Sequence, residues 1–215
     1  MPQFLAKIAS EPHEVSVHAA PDEAVSVDMA DPIAEYKYYD LSRGKPPQIH
    51  EGMLGNASPI FKCTTDFTIQ PVKGRSSGPF KFRFMSASLS IELPITITLP
   101  TGTSPGLREH EEGHRKINEY FYTLGRKSAQ HAGGLVLGKE FYSPGTDLES
   151  AQSNVLVMAG DVVQRAYWKY TRTPAQLANK YYDDVTDHGR NRTNSNQVVQ
   201  EAIERYEVQL PGDPR

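Results

Sequence analysis

One cysteine, Cys63, in 215 residues excludes an internal disulfide framework and a cysteine-rich zinc site. It lies in the strand-like run Phe61-Lys62-Cys63-Thr64-Thr65 and reads as a small core residue rather than a nucleophile. No apolar run approaches the ~18 residues of a membrane span. There is no excess of positive charge. The net charge is −3, which removes the electrostatic case for nucleic acid or an acidic membrane as the main partner. Met1 to Ile8 lacks an apolar region of secretory type, so the chain as numbered reads as cytoplasmic unless a leader was removed from it. What is present suits a packed domain: 38% hydrophobic and 23% charged residues.

The hydrophobic period changes along the chain. Up to about residue 100 it is that of strands and turns. Alternation marks residues 14–18, 24–28, 35–40, 62–71, 80–84, 88–93 and 95–99, with breaks at Gly44-Lys45-Pro46-Pro47 and Arg75-Ser76-Ser77-Gly78-Pro79. From residue 104 the period is helical. Ser104 with Pro105 starts one helix, expected to run to about His131 before Gly133-Gly134. Further helices are expected over Leu148–Tyr170, from Thr173-Pro174 to about His188, and over Gln197–Tyr206. The expected fold class is α+β: an N-terminal antiparallel β region over 1–103 and a helical, zincin-like metal-binding region over 104–215, packed as one unit.

The helical half opens on His110-Glu111-Glu112-Gly113-His114, an H-E-x-x-H pentapeptide. Positions i and i+4 share a helix face, so two imidazoles there can bind one Zn²⁺ at about 2.0–2.1 Å. Glu111 follows the first histidine and can serve as general base toward a water at the site. The pattern also fits a solvated helix face with two incidental histidines. Against this, Leu107, His110, His114, Ile117, Phe121, Leu124 and Ser128 form one stripe, placing both histidines on the core-facing side.

A catalytic zinc site needs a third protein ligand. The metzincin extension would require a histidine where Tyr120 stands. His131 is 17 residues beyond His114, roughly 25 Å along a helix, so it is expected to face helix-terminal carbonyls instead. Glu140, Asp147 and His188 remain candidates. His188 ends the third helix in line with Leu177, Tyr181 and Asp184; a histidine before a Gly stop is equally explained by the helix dipole.

The chain resembles a bacterial family of predicted secreted zinc-dependent proteases. The likeness rests on a Tyr-rich strand before a turn (Tyr36 to Gly44), the ending Ile95-Thr96-Ile97-Thr98-Leu99-Pro100, the H-E-x-x-H helix, and a Y-D-x-x-T-x-H-G element. The last is matched by Tyr182, Asp183, Thr186, His188 and Gly189, and the likeness spans about residues 25 to 206. It implies one Zn²⁺ per chain with His188 as third ligand beside His110 and His114, a peptide or protein substrate, and an exported or periplasmic location. The expected function is therefore a zinc metallopeptidase with Glu111 as general base. Tyr182 is expected to stabilise the oxyanion, and Asp183 or Asp187 to orient a ligand imidazole. The alternative is a non-catalytic β-rich binding or envelope-associated domain in which zinc only ties two helices together; an open fourth position beside Glu111 would separate the two.

Overall fold

The structure is a computed structural model and describes residues 7–8, 24–47, 49, 53–72, 79–191 and 194–210. The strands are β1 (Lys7–Ile8), β2 (Val25–Met29), β3 (Ile33–Tyr39), β4 (Asn56–Pro59), β5 (Lys62–Pro71), β6 (Phe80–Glu92), β7 (Pro94–Pro100) and β8 (Glu140–Ser143). The helices are α1 (Pro105–Thr123), α2 (Gly125–Gly134), α3 (Leu148–Tyr170), α4 (Arg172–Thr186) and α5 (Ser195–Tyr206). The class is α+β, strands first and most helices after. The expected strand at 14–18 and loop at 75–79 lie outside the described residues.

The chain divides into two compact units, each drawn from three stretches. The first takes Met1–Met29, Cys63–Ile91 and Arg126–Tyr167. Its sheet runs in the order β1-β5-β6-β2, with β8 also pairing with β6. Strict alternation buries Phe82 and Phe84, then resumes one residue out of phase at Ala87, Leu89 and Ile91. Phe84 meets Phe67 and Phe141 edge-on at 5.0 Å each, anchoring β5, β6 and β8 together. Ala151, Val155, Ala159 and Val163 form the fully buried stripe of α3 at helical spacing.

The second unit takes Ala30–Lys62, Glu92–Gly125 and Trp168–Arg215. Its sheet has the order β3-β7-β4, and β7 is buried at Ile95, Ile97 and Leu99. Helix α1 packs on β4 and β7, and α4 and α5 pack on α1 and on each other. Ser104 caps α1 as expected, its hydroxyl accepting from the Leu107 N–H at 3.2 Å.

Three features differ from expectation. The sheets are mixed rather than antiparallel throughout. β1 pairs with β5, β2 with β6 and β3 with β7 in parallel, while β4–β7 and β6–β8 are antiparallel. Long connections separate the parallel partners, as such pairs require. The helix from 104 also stops early: the Thr123 hydroxyl donates to the Tyr120 carbonyl at 2.6 Å, α1 ends at Thr123 with Leu124 as its cap, and α2 starts at Gly125. Finally, α4 starts at Arg172 rather than at Thr173-Pro174, with Pro174 in the first turn, where a missing N–H costs nothing.

Candidate metal centre

Helix α1 buries His110, Glu111 and His114 against the cleft side of its unit. Gly113, between the histidines, faces α4: a Cβ there would lie 2.3 Å from the Tyr182 hydroxyl oxygen, so only glycine lets the two helices approach. On α4 the buried positions are Pro174, Ala175, Ala178, Tyr182 and Thr186. The small alanines permit close packing, and Asn179 and Asp183 are turned toward α1.

The donor atoms converge. His110 Nε2 and His114 Nε2 are 3.2 Å apart. Asp183 Oδ1 lies 3.3 Å from the first and 3.1 Å from the second. Three donors sharing one tetrahedral ion at about 2.0–2.1 Å stand about 3.3–3.4 Å from each other, so the triangle already has the edge length of such a site. His110, His114 and Asp183 thus lie within reach of a single metal ion.

The imidazoles are held in one tautomer. Thr186 donates its hydroxyl hydrogen to the Tyr182 carbonyl at 2.7 Å, so toward His110 Nδ1, 3.3 Å away, its oxygen acts as acceptor. On His114, Nδ1 meets Asn179 Oδ1 at 2.7 Å. That amide is oriented by its own donors, which bond the Ala175 carbonyl at 2.8 Å and Asn118 Oδ1 at 3.2 Å. Asn118 in turn donates to the His114 carbonyl at 2.7 Å. Both Nδ1 atoms therefore carry hydrogen, and both Nε2 lone pairs face Asp183 Oδ1. Lone pairs and a carboxylate aimed at one point call for a cation.

Electrostatics agree. Burial opposes the charged form of His114, but the Asp183 carboxylate outweighs it and raises the pKa. His110 is lowered, burial being the larger influence over Asp183. For Asp183, burial works upward but the two histidines hold the carboxyl well below the usual range. Glu111 is pushed up to about 7 by burial, with the Ala57 N–H bonding its carboxylate and pulling the other way. Its Oε2 is buried with no partner among the described residues. Gly55 lies directly against it: a Cβ at that position would be 2.5 Å from Glu111 Oε1. The carboxylate is thus confined between the end of β4 and the metal triangle.

Asp183, expected to orient a ligand imidazole, lies in the group within reach of one ion, and His188, the expected third ligand, stands beside it. Helix α4 ends at Thr186, and Asp187 and His188 both take positive φ (48° and 52°) ahead of Gly189 at 80°. Gly189 has a second constraint, since a Cβ would approach His110 Cβ to 3.0 Å. His188 is thereby carried off the helix face. Its Nδ1 is 3.3 Å from Asp183 Oδ1, yet it is not a member of the group that closes on one ion. The expected inner line of Leu177, Tyr181 and Asp184 is the outer one, with Leu177 47% exposed.

Tyr182 stacks on His110 (centroids 5.0 Å, 14°) and meets His114 edge-on at 5.1 Å. It is fully buried behind the imidazoles and does not line the cleft, so the structure does not put its hydroxyl where an oxyanion would form. Among the described residues that hydroxyl has no hydrogen-bond partner; burial raises its pKa, with nearby Ser195 pulling the other way. Asp187 pairs with Arg190 at 3.7 Å rather than with an imidazole. Of the other carboxylates considered, Glu140 is held by Lys81 and Arg83, and Asp147 caps α3 by accepting from the Ser150 N–H at 2.8 Å. Thr186, Asn179, Asn118 and Gly55 were not anticipated. Only Thr186 carried a sequence signal, as a fixed position of the Y-D-x-x-T-x-H-G element.

The cleft in front of this centre has a volume of about 900 Å³. Leu41, Met53, Leu54, Phe61 and Leu107 supply apolar lining, and Arg172, Gln176 and Lys180 line it along α4. Among the described residues no helix is long and apolar enough to cross a membrane. No family model, no curated protein and no solved structure matches the chain.

Proposed function

We propose that the protein is a zinc-dependent hydrolase acting on peptide bonds. The observation that carries this reading is the buried, half-unpartnered Glu111 carboxylate beside a triangle of two Nε2 atoms and one carboxylate oxygen, all opening on one cleft. Nitrogen and oxygen donors at tetrahedral spacing suit Zn²⁺. When bound, zinc supplies a Lewis acid toward water and a substrate carbonyl. His110, His114 and Asp183 would hold it, with Thr186 and Asn179 fixing the imidazoles. Glu111, its pKa raised to about 7, can take a proton from a water in the cleft and return it to the departing amine. The likeness of the two motifs to the zinc-protease family points the same way.

One observation favours the rival, a structural zinc. His188 Nδ1 stands 3.3 Å from Asp183 Oδ1, close enough to add a fourth protein donor after a small rearrangement. A closed four-ligand site would leave Glu111 without a task. The test is cleavage of a degenerate peptide library by zinc-loaded protein, with and without chelator, and by Glu111→Gln. The expected result is chelator-sensitive cleavage, with zinc retained and activity reduced about 10²–10⁴-fold in the variant. Wild-type rates in Glu111→Gln would refute the hydrolase mechanism.

A further inference from the structure

The cleft extends beyond the metal triangle, and it is lined there by a cation that no carboxylate among the described residues neutralises. Lys180 and Arg190 also line it, but Lys180 pairs with Asp184 at 2.7 Å and Arg190 with Asp187 at 3.7 Å. Arg172, half-buried, makes no ion pair among the described residues. Its guanidinium lies over the Trp168 ring at 4.5 Å, and the Trp168 indole N–H donates to the Phe61 carbonyl at 3.0 Å. The stacked, anchored tryptophan holds the guanidinium in place, and Arg172 lines the cleft.

Two backbone rulers give the separation between the residues that carry this cation and those that carry the metal triangle. Arg172 and Asp183 are 11 positions apart on α4, about 16 Å at 1.5 Å per residue. Across the cleft, Gly55 abuts Glu111 and Phe61 abuts Trp168; six extended residues span about 20 Å. At about 3.3 Å per residue, an extended peptide covers this distance with about five residues. Gln176, one turn from Arg172, lines the path between.

We propose that Arg172 is a carboxylate anchor for an extended peptide in this cleft, about five residues from the bond held at His110, His114 and Asp183. The inference rests on the peptidase reading and adds the substrate class: peptides with an acidic side chain or a terminal carboxylate at that spacing. A guanidinium without a carboxylate of its own, fixed on an aromatic face, is suited to bidentate recognition of one from outside.

The test starts from degenerate dodecapeptides with acetylated and amidated ends. Cleaved bonds are mapped by mass spectrometry, the best sequence is re-centred on its bond, and Glu is then moved from three to six residues away on either side. A second arm ends the peptide in a free C-terminus at the same places on the C-terminal side of the bond, which separates side-chain from terminal recognition there. Expected are faster cleavage with the carboxylate four to six residues away on one side, and about tenfold loss of that advantage in Arg172→Gln. Arg172→Glu should invert the preference toward Lys at the same position, which a folding defect would not do. Binding of these peptides to zinc-loaded Glu111→Gln, read by fluorescence anisotropy, should follow the same order. Cleavage without preference at that spacing, or a preference surviving Arg172→Gln, overturns the anchor and leaves the peptidase standing. No cleavage or binding of any library peptide overturns both.

Discussion

Gly55→Ala should separate the base from the metal. The added methyl would lie 2.5 Å from Glu111 Oε1 and 3.0 Å from its Cδ and Cγ, against an ordinary contact of 3.4 Å or more. The carboxylate must therefore retreat by about 1 Å. It is the end of a side chain with free torsions, so leaving its rotamer costs on the order of 0.5–1.5 kcal/mol and the fold survives. The three atoms nearest the new methyl all belong to Glu111 and none to the metal triangle, so zinc binding should be retained. Catalysis is less tolerant, because a misplacement of about 1 Å costs roughly 100-fold. The assay compares kcat/KM on a library-derived peptide, zinc per chain and thermal midpoint for wild type and variant. Expected are equal zinc, a midpoint lowered by a few degrees and a rate down about 100-fold. Zinc-replete, folded Gly55→Ala with the wild-type rate would show that Glu111 is not the base, or that its position in the cleft is immaterial.

Asp183→Ala should weaken zinc binding by more than the about 10–100-fold typical of losing an outer partner, and His188→Ala by no more than that; competition with a chromogenic chelator gives both, and the reverse order would restore His188 as third ligand. Tyr182→Phe removes a buried hydroxyl that no group satisfies, so the thermal midpoint should hold or rise; a loss above about 1 kcal/mol would mean an acceptor is engaged in solution. Gly113→Ala should destabilise by about 1–3 kcal/mol despite alanine's better helix propensity, and Tyr182→Phe should rescue little, since the ring Cζ is itself 2.4 Å from the new methyl; calorimetry of the single and double variants decides this. Burial pushes the Cys63 thiol up to about 12, so iodoacetamide at pH 8 should modify native protein about 100-fold more slowly than denatured protein; equal rates would contradict the burial.

What could be read from the chain follows from where residue type and position speak together. The H-E-x-x-H pentapeptide was legible because its chemistry is local to one helical turn, and Leu148–Tyr170 because its apolar period is long. The face of α4 was misread because its largest apolar residue, Leu177, points outward while Ala175 and Ala178 mark the packed side. Small residues bury little area, and their value lies in the approach they allow. The strand Asn56–Pro59 carries a polar, proline-ended sequence and exists through its pairing with β7, a partner nearly 40 positions away. Gly55 and Asn179 acquire meaning only once α1 stands beside them, and no single-sequence signal marks either.

The connectivity of the unit that carries His110, His114 and Asp183 has a consequence for how the proposed activity would come into being. Residues 30–62 supply Gly55 and the Ala57 N–H; residues 92–125 supply His110, Glu111 and His114; residues 168–215 supply Asn179, Asp183 and Thr186. During synthesis a chain carries its complete H-E-x-x-H sequence for some seventy residues before Asp183 exists. Contacts this distant in sequence are the last to close. Under the peptidase proposal, a nascent or truncated chain that lacks the third stretch lacks Asp183 and should be inert toward its neighbours, and toward itself, until folding is complete.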